Sequence, residues 1–429
     1  MRRARSSPRP VIAEIIAVGS ELLLGGRTDS NSLFITDELG TLGIEVRFKS
    51  VVGDDRADIV RALKTAVSRA EIIVMTGGLG PTVDDCTREA IADAAGRKLA
   101  RRKEAFEAMQ KRLAQWGRSP NKGQLRQALI PSGATVVPNP VGSAPGFWLT
   151  WRGAMVISLP GVPAEMAAMM RESVALALAS RLEGRGRMRP PIKRQVFHTW
   201  GIPEAEVDEK LQGLIPKKAP IDLGLLASPL GVLVSLTTKP QSSAADEMWT
   251  SLAKSVRARL HEWIFAEGSE SMEDVVGRLL LKDKRTLALA ESCTGGLIGH
   301  RLTQVPGSSA YVDRGIICYS NNAKIDLLGV SADLIERHGA VSAEVAGAMA
   351  KGVRERSGVS IGLSVTGIAG PGGATATKPV GLVYVGLNVD SGETITREHR
   401  FHGDRSVIKQ RSSQAALDLL RRWLLAGGR

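Results

Sequence analysis

Short apolar runs that end in glycine and lead into amphipathic helices constrain this chain more than any other feature. IAEIIAVG (12–19) reads as a buried strand, SNSLFITDELGTLG (30–43) as a helix and IEVRFKSVVG (44–53) as a second strand. Asp54 and Asp55 open the next helix, DIVRALKTAVSRA (58–70), which is amphipathic. EIIVMTGGLG (71–80) is then a strand ending in glycines, and CTREAIADAAG (86–96) a further helix. Strands that are apolar throughout are covered on both faces, so this alternation predicts a parallel sheet with helices on either side.

At 429 residues the chain exceeds the size at which one hydrophobic core keeps growing, so several domains are expected. After a helix near 162–182, the run RLEGRGRMRPP (181–191) combines glycine, proline and arginine as an exposed boundary does. The first α/β domain is therefore placed at 10–182. A small α+β module follows at 192–266, with strand-like KRQVFHTW (193–200) and GVLVSLTT (231–238). Its helices are PEAEVDEKLQGL (203–214) and AADEMWTSLAKSVRARLHEW (244–263), and AEGSESM (266–272) is its linker. A second α/β domain, 273–429, opens with the helix EDVVGRLLLKD, passes into the strand TLALAES (286–292) and closes on the helix SVIKQRSSQAALDLLRRWLL (406–425). The expected fold class is thus α/β, two parallel-sheet domains joined by a small α+β module.

TLALAESCTGGLIGHRLTQVPGSS (286–309) carries the most chemistry. Its strand delivers Glu291, Ser292 and Cys293 to a turn where Thr294, Gly295 and Gly296 open a helix, whose unpaired N–H groups are suited to a phosphate or a developing oxyanion. DRGIICYSNNAKIDLLGV (313–330) places Tyr319, Ser320, Asn321 and Lys324 in a polar turn after another strand. A lysine of lowered pKa can serve as base for a serine. Spacing alone does not bring Ser292 to Lys324, and Glu291, Cys293 and Lys324 equally satisfy a cysteine–glutamate–lysine amidase. SIGLSVTGIAGPGG (360–373) adds a buried strand and a glycine-rich loop with Thr366 and Gly367. FHGDRSVIKQR (401–411) puts Asp404 at a helix N-cap and Arg405 in the first turn, unfavourable to the helix dipole unless an anion sits nearby.

Together AESCTGG, the YSNNAK turn, HGAVS (338–342), TGIAGPGG, KPVGLVYVG (378–386) and FHGDR resemble the CinA C-terminal domain, the PncC-type nicotinamide mononucleotide amidohydrolase. The resemblance implies that Ser292 is the nucleophile and Lys324 its base, with Tyr319 beside them. It implies substrate contacts from Thr294, Gly295, Gly296, Asn321, Thr366, Gly367 and Arg405. The implied reaction converts nicotinamide mononucleotide and water into nicotinic acid mononucleotide and ammonia, without a metal or cofactor.

In the first domain, IVMTGGLGPTVDD (73–85) brings Thr76, Gly77, Gly78, Gly80, Asp84 and Asp85 to a strand-to-helix turn suited to phosphate oxygens and a hydrated divalent cation. Capping of the next helix by Asp84 or Asp85 is the structural alternative. AVGSELLLGGRTDSNS (17–32), VGDDRADI (52–59), TGGLGPTVDD (76–85), NPVGSAPGF (139–147) and LPGVPAEM (159–166) resemble the molybdopterin-binding fold of MoaB, MogA and MoeA, and more narrowly the CinA N-terminal domain. Family members commonly carry GDELL where this chain has GSELL (19–23), so Ser20 supplies no carboxylate there and Glu21 remains. The resemblance implies hydrolysis of the ADP-ribose pyrophosphate with a divalent metal such as Mg²⁺ on Asp84, Asp85 and Glu21; molybdopterin binding is the alternative. The middle module resembles the KH-like domain of full-length CinA proteins but has no GxxG loop for clamping a nucleic-acid backbone. It reads as a spacer or dimer element, and a homodimer is the expected assembly.

The formal charge of +13 collects in the first ten residues, 97–126 and 181–194. With aromatics at 4%, base stacking has little to work with, so a solvated surface tuned to anionic small substrates is expected over a competence or DNA-damage protein that binds nucleic acid. Cys86, Cys293 and Cys318 have no metal-type spacing, and the N-terminus lacks a long apolar run before a cleavage site. No stretch is apolar enough to span a bilayer, so a reduced, cytoplasmic protein without membrane partners is expected.

Overall fold

The structure, a computed structural model, describes residues 10–216, 219–238 and 245–427. Residues 1–9, most of the basic N-terminal segment, lie outside the described residues, as does Ala244 at the start of the 244–263 helix. The chain divides into two compact units, the first built mainly on residues up to Arg194, the second on most of the middle module and the C-terminal segment.

The first unit holds a six-stranded sheet in the order Glu45–Val52, Ile12–Val18, Ile72–Thr76, Ala154–Leu159, Gly146–Trp151 and Thr135–Val137. The first four are parallel, Gly146–Trp151 pairs antiparallel with the fourth and Thr135–Val137 antiparallel with Gly146–Trp151, so the sheet is mixed rather than wholly parallel. Ile15 stands against Val74, and Val74 against Ile157, all fully buried. Asp55 caps the helix Arg56–Arg69 by accepting from Asp58 N at 2.8 Å. Asp54 does something else: its carboxylate accepts from Ser20 N at 2.8 Å while its own N–H donates to Ser20 Oγ at 3.1 Å. The serine that replaces the expected aspartate is thus part of a reciprocal tie between the short helix Ser20–Leu23 and the segment that leads into Arg56–Arg69.

The Arg/Gly/Pro run at 181–191 is mostly exposed and the division between the two units falls just after it, at Arg194, as expected of a boundary. The helix Ala175–Gly184 extends into it, Arg187 forms a two-point ion pair with Glu71, and Ile192 N donates to Gly40 O at 2.8 Å. The Arg187 ion pair and the Ile192 bond tie the segment to the first unit.

The middle module is a four-stranded sheet, Ile221–Ser228, Gly231–Thr238, Arg194–Thr199 and Ile264–Glu267, with helices Glu204–Leu211 and Ala245–Leu260. The AEGSESM linker is shorter than expected. Ala266 already pairs with His198, and Ser271 caps the helix Met272–Lys282 through a reciprocal capping box with Asp274.

The C-terminal fold carries a five-stranded sheet in the order Val312–Ile317, Leu287–Glu291, Ile361–Gly367, Leu382–Val389 and Thr394–Arg400. The first three strands are parallel; Leu382–Val389 pairs antiparallel with the third, and Thr394–Arg400 antiparallel with Leu382–Val389. One face is covered by Met272–Lys282 and Arg405–Leu425, burying Leu280, Leu417, Leu420 and Trp423. Met349 and Val353 of Ala343–Ser357, with Leu328, fill the other. The central strand Leu287–Glu291 is buried along its length, so the turn after it is fixed on a rigid base.

Candidate active site

The turn after Leu287–Glu291 is built by backbone bonds. Ser292 N donates to Val365 O of the neighbouring strand at 2.9 Å, and Gly295 N returns to Ser292 O at 3.1 Å. Gly295 and Gly296 have φ of 61° and 92°, left-handed values that favour glycine. Gly296, which has no side chain to cap with, is the N-cap of the helix Leu297–Thr303.

The N–H groups of that helix are not unpaired, contrary to the expectation from sequence. The Glu291 carboxylate, 2% exposed, accepts from Gly296 N at 3.0 Å, Ile298 N at 3.1 Å and Gly299 N at 2.8 Å. A buried anion on a helix N-terminus satisfies donors and dipole together. Phosphate or oxyanion binding at this helix end is thereby removed. In the turn itself, the N–H groups of Cys293 and Thr294 are the ones not engaged by Glu291 or by backbone carbonyls.

Lys324 arrives from the helix Asn321–Leu328, whose N-cap Ser320 accepts from Ala323 N at 3.0 Å. It is 2% exposed. Among the described residues its Nζ has three acceptors: Ser292 Oγ at 3.1 Å, Cys318 O at 3.0 Å and Tyr319 O at 3.3 Å. None is a carboxylate, and burial pulls the ammonium below the ordinary lysine value. Burial acts the other way on Cys293, pushing its thiol up to about 12 and keeping it protonated near neutral pH. The glutamate of the rival cysteine–glutamate–lysine arrangement is occupied in capping the helix.

Ser292, Cys293, Tyr319, Asn321, Lys324, Thr366, Gly367 and Arg405 all line one cavity of about 230 Å³. Thr366 is buried and its Oγ1 donates to Ala340 O at 2.8 Å, which ties the strand Ile361–Gly367 to the HGAVS turn. A side chain at Gly367 would meet Val383 Cγ2 at 2.7 Å, so packing alone requires this glycine. Arg405 donates to Gly370 O at 2.7 Å and to Tyr319 Oη at 2.8 Å. The Tyr319 hydroxyl therefore serves the rim, and it is the carbonyl of Tyr319 that reaches Lys324. Thr294, Gly295 and Gly296 do not line the cavity, because they turn away into the helix that Glu291 caps. Ala340, Val341, Ile368 and Gly370, which sequence reasoning did not single out, do line it.

The glycine turn of the first unit is held differently. A Cβ at Gly77 would lie 2.0 Å from Val18 O, and one at Gly78 would lie 2.1 Å from Thr87 Oγ1. Arg88, fully buried, donates to Leu79 O at 2.7 Å and Gly80 O at 3.1 Å from beneath. Asn31 donates to Thr76 Oγ1 and Gly161 O, both at 2.9 Å. Asp85 is occupied by Thr82, accepting from its N–H at 2.8 Å and its hydroxyl at 2.6 Å, while Cys86 is the N-cap of Thr87–Ala95. Asp84 and Asp85 therefore do not cap that helix. Among the described residues no group of three His, Cys, Asp or Glu side chains could hold a metal ion, so Glu21, Asp84 and Asp85 do not form a ready-made ligand set.

The chain matches three family descriptions in order: a probable molybdopterin binding domain over 14–180, a damage-inducible protein CinA KH domain over 194–266 and a CinA C-terminal domain over 269–424. It is 41% identical over 412 residues to a CinA-like protein of Geotalea uraniireducens, covering 96% of this chain and 97% of that one. It is 43% identical over 415 residues to a putative competence-damage inducible protein of Halothermothrix orenii, covering 96% and 99%. Among solved structures, the competence/damage inducible protein CihA from Agrobacterium tumefaciens is 40% identical over 37% of this chain and 96% of its own, with a TM-score of 0.35. With relatives above 40% identity along nearly the whole length and all three parts in the same order, the chain belongs to the CinA family.

Proposed function

We propose that the C-terminal fold is a serine amidase acting on nicotinamide mononucleotide. The observation that carries this reading is the buried contact of 3.1 Å between Ser292 Oγ and Lys324 Nζ inside the 230 Å³ cavity. A lysine without a carboxylate partner, pulled below its ordinary pKa, has a neutral form able to take the serine proton. Ser292 Oγ attacks the carboxamide carbon and Lys324 takes the proton. The oxyanion forms beside the N–H group of Cys293, the residue of the turn that lines the cavity next to Ser292. Lys324 then gives its proton to the amide nitrogen as the C–N bond breaks and ammonia leaves. Water attacks the resulting ester, Lys324 again takes and returns a proton, and nicotinic acid mononucleotide is released from regenerated Ser292.

Arg405 at the cavity rim supports an anionic substrate. It sits in the first turn of Arg405–Leu425, held by neutral oxygens of Gly370 and Tyr319, so its positive charge is uncompensated there. The positively charged pyridinium would meanwhile make the carboxamide more electrophilic.

The test is turnover of nicotinamide mononucleotide by the whole chain, following ammonia and nicotinic acid mononucleotide. Loss with Ser292→Ala, and turnover persisting with Cys293→Ala, is the expected pattern. Loss with Cys293→Ala alone would move the nucleophile to the thiol, and an inactive, folded wild type would refute the amidase reading. For the first unit the reading remains its molybdopterin-binding-like fold. Release of AMP and ribose phosphate from ADP-ribose, with and without Mg²⁺, is the measurement that would extend it.

A further inference from the structure

The second unit contains another cavity, of about 580 Å³, where the middle module meets the C-terminal fold. Its volume falls in the range of small-molecule sites. Trp200 and Pro229 line it from the module, and His399, Phe401, Arg411 and Asp418 from the C-terminal fold. None of these residues takes part in the amidase cavity.

Two features of this lining point to a ligand. The His399 and Phe401 rings are stacked, with centroids 5.3 Å apart and planes 8° from parallel, and both line the cavity, as does the Trp200 indole. The polar groups beside them are not satisfied by the protein: His399 Nε2 and Arg411 Nε are both buried without a hydrogen-bond partner. Asp418, the acid nearest in chain to Arg411 on this wall, is already held by Arg421 at 2.7 Å and Arg422 at 2.6 Å. Glu204 lines the cavity too, but it is an exposed residue. Arg411 is left as a guanidinium with no acidic partner among the described residues. Leaving such donors unmade inside a protein is costly, and an anion can complete them with charge-assisted bonds.

We propose that this cavity binds a small planar aromatic anion, with its ring against the His399–Phe401 stack and Trp200 and its carboxylate or phosphate on Arg411. Burial holds the His399 imidazole below its ordinary value, so near neutral pH the ring presents a neutral face and one nitrogen for a ligand hydrogen bond. The ring supplies the apolar contact area and the anion supplies orientation.

The experiment is calorimetric titration of the full chain with 2-naphthoate and 1-naphthyl phosphate, with 2-naphthalenemethanol as the neutral counterpart. At least one anion should bind with a Kd below about 1 mM, and the neutral compound at least about tenfold more weakly. Whichever anion binds more tightly distinguishes a carboxylate from a phosphate ligand. Arg411→Gln should weaken the anion about tenfold, and Arg411→Lys, which keeps the charge, should retain most of the affinity. Phe401→Leu should weaken both anion and neutral compound.

No binding of either anion to wild type would overturn the proposal, as would equal affinity for the neutral compound. So would anion binding that survives Arg411→Gln but is lost in Arg405→Gln, because it would place the ligand in the amidase cavity. A thermal melt matching wild type qualifies each variant for these comparisons. The outcome does not depend on the amidase reading.

Discussion

The turns at Thr76–Gly80 and Ser292–Gly296 are built alike and end differently. Each follows a fully buried parallel strand, and each uses glycines at positive φ. In the first unit, the surroundings close on the turn. Arg88 holds its carbonyls, Asn31 bonds the Thr76 hydroxyl, and the carboxylate of Asp85 is spent on Thr82. In the second unit a neighbouring strand and helix deliver an amine to the hydroxyl at the turn, with a cavity above both. Glycine at the end of a parallel strand is therefore an architectural device. What the adjoining element brings to it decides whether it becomes a reactive centre.

That contrast can be broken most forcefully at Ser292. Ser292→Ala should lower nicotinamide mononucleotide turnover by at least about a thousandfold with the melting temperature nearly unchanged, since one hydroxyl is lost. Residual turnover near wild type would mean that the second turn is as structural as the first. Arg88→Ala is the converse experiment. It should destabilise the first unit by about 3 kcal/mol, through a cavity and two unpaired carbonyls, and change turnover per folded molecule by less than about twofold. Calorimetric unfolding beside the same turnover assay reads both.

Glu291→Gln sharpens the contrast at the shared element, the helix that follows the glycines. Loss of the capping charge should cost about 1–2 kcal/mol, seen in denaturant unfolding, with a fall in kcat of about tenfold and little change in KM. An unaltered kcat would show that the cap supports the fold without positioning Ser292.

The smallest expected effect is in pH dependence. A lysine base works when neutral, so kcat/KM should rise with pH and level off above the Lys324 pKa of the free enzyme. Burial lowers that pKa, so the plateau should come below the ordinary lysine range. The linked stability effect has a definite sign. Between the lowered folded value and the ordinary unfolded value the unfolded chain binds more protons, so stability should rise with pH across that window, and Lys324→Met should remove the slope.

The strands and helices legible in sequence were those with one-sided or continuous apolar patterns, such as Ile12–Val18, Ile72–Thr76 and Arg56–Arg69. Thr394–Arg400 is an edge strand with a largely polar sequence, and no apolar period announces it. Thr135–Val137 spans too few residues to register as a pattern. Ser292 and Lys324 were paired only through family resemblance, because a contact across 32 positions depends on how the parallel strands align. Two charged residues were misread or passed over for one reason. Charge on a helix or at a turn ordinarily faces water, whereas Glu291 and Arg88 face inward to satisfy backbone groups. The glutamate had a visible signal: a carboxylate five residues ahead of Gly296 can fold back onto the helix that the glycine starts.

The Glu291 cap also bears on how a turnover would finish. Hydrolysis of an amide leaves a carboxylate beside Ser292, next to a helix end that would otherwise attract it. Because Glu291 already neutralises that end, the acid product of the proposed reaction would meet no electrostatic trap there and would be free to depart, leaving the serine open for another substrate.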